Sequence, residues 1–204
     1  MKIIDITREL FSAPIYPDDI IPVMERTKHI SAECCCNYSQ MLLGAHSGTH
    51  ADAPLHFIEG GADVSTLPNN ALIGECQVVE TPPGVLTADY VEHCFPPKCE
   101  RLLIKCAGTE DQHCCLSTDA AEQLAEWGVR LIGTDAPSIA PSGNERKPHV
   151  ALLRHGIVIL ENLDLSQVRP GRYFLIAAPL KLEGAEAAPA RVFLLTDYIF
   201  WTGT

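Results

Sequence analysis

Short apolar runs bounded by turn residues recur along the chain, at residues 2–6, 77–80, 101–106, 130–133, 157–160, 172–178 and 191–196. Their length and β-branched content predict strands. Several lack strict alternation, as strands covered on both faces do. Helical patterns fall between them. The clearest covers residues 117–127, where Ser117 or Thr118 can cap, Asp119 and Glu122 lie in the first turns, and Gly128 ends the helix. A shorter helix is expected at residues 87–94 with Thr87 as cap. A third is expected at 148–155, with Pro148 in its first turn and Gly156 after its end. Strands interleaved with helices define an α/β domain with some parallel pairing. No repeat, low-complexity tract or Gly/Ser-rich linker divides the 204 residues, so one domain is expected.

Composition narrows the function. With 47% apolar and 20% charged residues the chain is of ordinary globular type. A formal net charge of −11 argues against nucleic acid or an anionic membrane surface as partner, since both require a cationic face. No apolar stretch approaches the ~20 residues of a membrane span, and Asp5 and Glu9 interrupt the N-terminus where a signal peptide would be apolar. A cytoplasmic protein is expected. The nine cysteines are odd in number and form no C-x-x-C pair, so most read as reduced, small apolar side chains.

The chemistry concentrates between Leu43 and Phe57. His46, His50, Asp52 and His56 all occupy even positions, so an extended chain would turn all four side chains to one face. Gly48, Thr49 and Pro54 oppose a helix here. A straight strand would separate His46 from His50 by about 13 Å, too far for two ligands bonded to one ion at ~2.0–2.2 Å. The chain must therefore bend, most easily at Gly48 and Pro54. The expectation is a strand ending near His46, followed by a tight loop carrying His50 and Asp52. Two imidazoles and a carboxylate with an open position form the ligand set of catalytic zinc and related divalent sites. Glu161 follows the apolar run Ile157-Val158-Ile159-Leu160, and the carboxyl end of a buried strand is a common position for a site residue. His149, read alone, is equally well a solvated position, and His29, His93, His113 and His155 read as ordinary histidines.

The string His46-Ser47-Gly48-Thr49-His50-Ala51-Asp52-Ala53-Pro54-Leu55-His56-Phe57 resembles the H-x-G-T-H-x-D-x-P-x-H-F signature of the cyclase family of metal-dependent hydrolases, which includes the bacterial kynurenine formamidases. A second similarity covers Lys147-Pro148-His149-Val150-Ala151-Leu152-Leu153 and Gly156-Ile157-Val158-Ile159-Leu160-Glu161-Asn162-Leu163. Weaker likeness continues through Gly133-Thr134-Asp135-Ala136-Pro137-Ser138 and residues 174–182. The resemblance implies a swivelling β/β/α fold with a mixed, partly parallel central sheet flanked by helices, and a homodimer. It also implies two divalent ions per chain, most simply Zn2+, with Mn2+ suited to the same donors. By that likeness His46, His50 and Asp52 hold the first ion. Asp52 bridges to a second held by His149 and Glu161, and His56 transfers protons.

The implied reaction is hydrolysis of N-formyl-L-kynurenine to L-kynurenine and formate, a step of tryptophan breakdown, with His56 protonating the departing arylamine nitrogen. Tyr16 and Phe57 are candidate apolar walls for the aromatic ring. The family's formamidases carry Trp-Pro-Gly-Asp where this chain has Tyr16-Pro17-Asp18-Asp19, which keeps an aromatic wall but adds a hydroxyl and an acid. That departure leaves two other readings open: a hydrolase of a cyclic amide, ester or lactone of the isatin type, and a metal-stabilised binding protein without turnover.

Overall fold

The computed structural model describes residues 1–17, 19–108 and 112–197; Asp18 lies outside them. Along the chain run β1 (Lys2–Asp5), β2 (Val23–Lys28), β3 (Tyr38–Leu42), β4 (His50–Asp52), α1 (Asn69–Leu72), β5 (Ile73–Thr81), β6 (Gly84–Leu86), α2 (Ala88–Cys94), β7 (Arg101–Cys106), β8 (Cys114–Leu116), α3 (Thr118–Glu126), β9 (Leu131–Thr134), α4 (Arg146–Leu153), β10 (Val158–Glu161), β11 (Gly171–Pro179) and β12 (Ala187–Thr196). The main sheet has the order β1-β12-β11-β5-β7-β9-β10-β4, and β4 also pairs with β12, so the sheet curls back on itself. Strands β5, β7, β9 and β10 are mutually parallel; the remaining pairs of this sheet are antiparallel.

The missing alternation in the central runs has a direct cause. Leu103, Leu131, Val158 and Leu160 point into the curl of the sheet, where Val78, Leu175, Val192 and Leu194 meet them. Leu102, Ile104, Ile132 and Ile159 point the other way, under Val91, Ala120, Leu124 and Leu152 of the helices. Both faces are covered, so successive residues are both apolar. Gly133 on β9 lies in the tightest part of this packing, where a Cβ would come within 2.6 Å of Leu103 Cδ2 and 2.8 Å of Leu163 Cδ1.

Helix signals read from the sequence hold in detail. Ser117 caps α3 by accepting from Ala120 N, Thr87 caps α2 by accepting from Tyr90 N, and Gly128 and Gly156 follow their helices at φ +79° and +71°. Helix α4 starts two residues before its expected position, which places Pro148 at the third helical residue; the first-turn amides have no intrahelical partner, so proline is still tolerated there.

One expectation is reversed. The strand before the histidine motif ends at Leu42, not near His46, and His46 lies in a turn, whereas His50 and Asp52 belong to a strand, β4. The bend does fall at Gly48, at φ +64°, and Pro54 opens a short 3-10 turn over Pro54–His56. What makes three residues a strand is their partners. β4 is wedged between β10 (Glu161↔His50, Ile159↔Asp52) and β12 (Pro189↔His50, Ala187↔Asp52), both more than a hundred residues away. Thr49 anchors the entry, its Oγ1 donating to Asn162 O at 2.5 Å and accepting from Arg8 N at 2.9 Å.

Outside this sheet, β2 and β3 form a separate two-stranded hairpin that is exposed along nearly its whole length. Among the described residues no helix is long and apolar enough to cross a membrane.

Truncating Leu103, fully buried inside the curl, to alanine should cost about 2–5 kcal/mol. Ser117→Ala, which removes only a cap, should cost about 1 kcal/mol. Urea denaturation with an unchanged m-value would read both.

Candidate metal centre

Strand geometry assembles the centre. His50 and Asp52, two apart on β4, project from one face, and the antiparallel register sets Glu161, the last residue of β10, directly opposite His50. His149 reaches the same point from α4, which packs against β10. His46 from the turn and His56 from the 3-10 turn close the group, their rings 4.3 Å apart.

The second nitrogen of each deep histidine fixes its orientation. His50 Nδ1 lies 2.9 Å from Gly48 O and His149 Nδ1 lies 2.7 Å from Glu145 O. A carbonyl only accepts, so both Nδ1 atoms carry hydrogen and both Nε2 atoms face inward. His50 Nε2 lies 3.4 Å from both Asp52 Oδ1 and Glu161 Oε2. His149 Nε2 lies 3.2 Å from Glu161 Oε1 and 3.8 Å from Asp52 Oδ2, and His46 Nδ1 lies 3.1 Å from Asp52 Oδ1.

These distances test whether the residues suit a cation. Donor atoms bonded at ~2.1 Å to one tetrahedral ion lie about 3.4 Å from each other, the spacing found here. Asp52 Oδ1, Asp52 Oδ2 and His50 Nε2 are buried and accept or donate no hydrogen bond. Burying a carboxylate without a donor costs several kcal/mol unless a positive charge lies beside it. Two sets of donor atoms converge, His46-Asp52-His56 and His50-Asp52-Glu161, with Asp52 common to both. The residues therefore fit a divalent metal.

Electrostatics agree. Burial disfavours charge on His50, but the Glu161 and Asp52 carboxylates beside it outweigh that and raise its pKa to about 9. The same carboxylates overcome the burial of His149 and raise it to about 8. Burial also resists ionisation of Glu161, yet His149 and His50 hold it well below the usual carboxylate range; Asp52 is held down against burial by His46 and His50. Positive charge is drawn to this pocket from every side. Burial lowers the pKa of His56, which is only half-buried.

All six residues singled out in the sequence as ligands or proton carrier thus lie in one cluster, although His56 groups with His46 and Asp52, and His50 with Glu161. The cluster, apart from the fully buried Asp52, opens into a cavity of about 190 Å3 that Tyr16 and Phe57 also line. Residues not foreseen join them. Glu186 Oε1 lies 3.5 Å from His46 Nε2, and Asp19, Ser138, Glu145 and Asn162 line the cavity. Glu145 lies four residues before His149, one helical turn, but nothing in its local pattern distinguishes it from a solvated residue. Glu186 arrives through the pairing of β12 with β4, which no local signal announces.

The cyclase family model, described as "Putative cyclase", matches residues 4–141. A kynurenine formamidase of Bordetella avium is 37% identical over 193 residues, covering 89% of this chain and 91% of that protein. The structure of a predicted metal-dependent hydrolase from Bacillus stearothermophilus is 33% identical, with a TM-score of 0.81 over 95% of this chain and 97% of that one. An isatin hydrolase bound to the product analogue thioisatinate shares the fold at a TM-score of 0.76 and 24% identity, over 96% and 92% of the two chains. The fold is thus a shared one. The chain belongs to the cyclase family.

Removing divalent ions with a chelator should lower the Tm by roughly 5–10 °C relative to protein at a hundredfold excess of ion over Kd. Asp52→Asn should lose most of that ion-dependent shift, as differential scanning calorimetry with and without added ion would show.

Proposed function

We propose that this protein is a metal-dependent arylformamidase that hydrolyses N-formyl-L-kynurenine to L-kynurenine and formate, using two divalent ions per chain, Zn2+ in the first instance. The observation that carries this reading is the buried Asp52 carboxylate, free of hydrogen-bond donors and shared by two converging donor sets at the floor of a cavity with aromatic walls. The formamidase relative, aligned over nine-tenths of its length, supports the choice of substrate.

In this reading His46, His50 and Asp52 hold one ion, and Asp52, His149 and Glu161 the other. Such ions, when bound, polarise a carbonyl oxygen and lower the pKa of water. The remaining work belongs to the chain. Phe57, ring to ring with His56 at 4.2 Å, and Tyr16 form the walls against which an aryl ring lies. His56 takes a proton from the attacking water and returns it to the arylamine nitrogen as the C–N bond breaks, since an unprotonated anilide is a poor leaving group. Gly48 O and Glu145 O keep the two deep imidazoles oriented throughout.

We place the enzyme in the cytoplasm as a single domain and a homodimer. The β2–β3 hairpin supports the dimer: Val23 pairs with Leu42 and Met24 with Met41, and all four side chains are exposed, beside exposed Ile20 and Ile21. A partner copy would cover this apolar arm.

Metal-loaded enzyme should release formate from N-formylkynurenine and contain close to two ions per chain by elemental analysis; isatin as a parallel substrate separates the lactam hydrolase reading. His56→Ala should lower kcat by about 10²-fold or more. Undiminished turnover in that variant would remove His56 as the proton carrier. The double variant Met24→Glu, Leu42→Glu should sediment as a monomer if the hairpin forms the dimer contact.

A further inference from the structure

Two carboxylates in the cavity take no part in the donor cluster. Asp19 and Glu145 line it beside Tyr16 and Phe57, and among the described lining residues none is a lysine or an arginine. Glu145 is held in place: its Oε1 accepts from Gly143 N at 2.7 Å and from the Tyr16 hydroxyl at 3.0 Å, while its backbone carbonyl meets His149 Nδ1. Both side-chain bonds fall on Oε1. A turn closed by Asp19 N donating to Tyr16 O at 3.1 Å brings Asp19 to the same rim. The floor of this cavity is the metal centre, where His50 Nε2 is buried without a hydrogen-bond partner. A ligand that reaches the floor therefore passes two acids with no lysine or arginine beside them among the described lining residues.

We propose that Asp19 and Glu145 select substrates by a positive end, so that the preferred class is an aryl formamide bearing a protonated amine on a side chain of the ring. The ammonium is held at the rim by charge-assisted hydrogen bonds while the formyl group reaches the metal centre. The Tyr16 hydroxyl, which a tryptophan would not supply, keeps the Glu145 carboxylate aimed at that rim. A cleft lined by one sign of charge also raises the local concentration of the oppositely charged substrate. This inference rests on the formamidase reading and adds what the site demands of the rest of the molecule: a cation, with no required carboxylate.

Three substrates test it on the metal-loaded enzyme, each followed by formate release: zwitterionic N-formylkynurenine, its decarboxylated cationic analogue N-formylkynurenamine, and the neutral 2-formamidoacetophenone. The expected kcat/KM for either amine-bearing substrate exceeds that for the neutral ketone by about tenfold or more. Glu145→Gln keeps the acceptor for Tyr16 and Gly143, and Asp19→Asn lies on an exposed loop. A fall of that ratio by about threefold or more in either variant, through a raised KM for the amine-bearing substrates, supports the assignment. A ratio near one in the unaltered enzyme, or a ratio that both variants leave unchanged, overturns it while the formamidase reading stands. No formate from any of the three overturns the formamidase reading and this inference with it.

Discussion

The structure turns on one buried carboxylate. Asp52 has no hydrogen-bond donor for either oxygen, and its neighbours are imidazole nitrogens and a second acid, Glu161. Such a group is unfavourable in a protein interior unless positive charge accompanies it. Everything around it serves that requirement. β10 and β12 grip β4 from both sides so that the carboxylate cannot turn to water, and two backbone carbonyls commit the Nδ1 hydrogens of His50 and His149 so that their Nε2 lone pairs face inward.

The sequence was most legible where chemistry is local. Ser117, Thr87, Gly128 and Gly156 act over three or four residues, and their capping roles hold in the structure. The parallel strands were legible from apolar runs because both of their faces are covered. The even spacing of His50 and Asp52 correctly placed them on one face, but the inference that they lie in a loop failed. A three-residue strand has no periodicity of its own and exists only through partners at residues 159–161 and 187–189. The β2–β3 hairpin escaped notice for a related reason: it lacks a buried face, so its side chains show no inward and outward pattern.

The site divides along the same line. The short histidine motif was visible because its members are near neighbours in the chain. The motif also explains why Glu161 and His149 needed more than composition to be singled out, since each reaches the centre from a different element. Glu145 and Glu186 carry no local mark at all, and Asp19 was marked only as the last residue of the Tyr16-Pro17-Asp18-Asp19 stretch, not as a cavity residue. Their positions follow from where α4, the segment before β12 and the N-terminal turn come to rest, which is a property of the assembled sheet.

The wedge of β4 between β10 and β12 has a consequence for biogenesis. The histidine-rich segment leaves the ribosome about 140 residues before the strand that completes its pairing. During that interval His46, His50 and Asp52 belong to a nascent chain with no preformed pocket, and their metal-binding atoms are presented singly. Contacts of such long sequence separation form late and slowly, so the donor cluster is completed only when β12 docks against β4. A cation suited to this cluster would therefore meet its full set of donor atoms only in the finished fold.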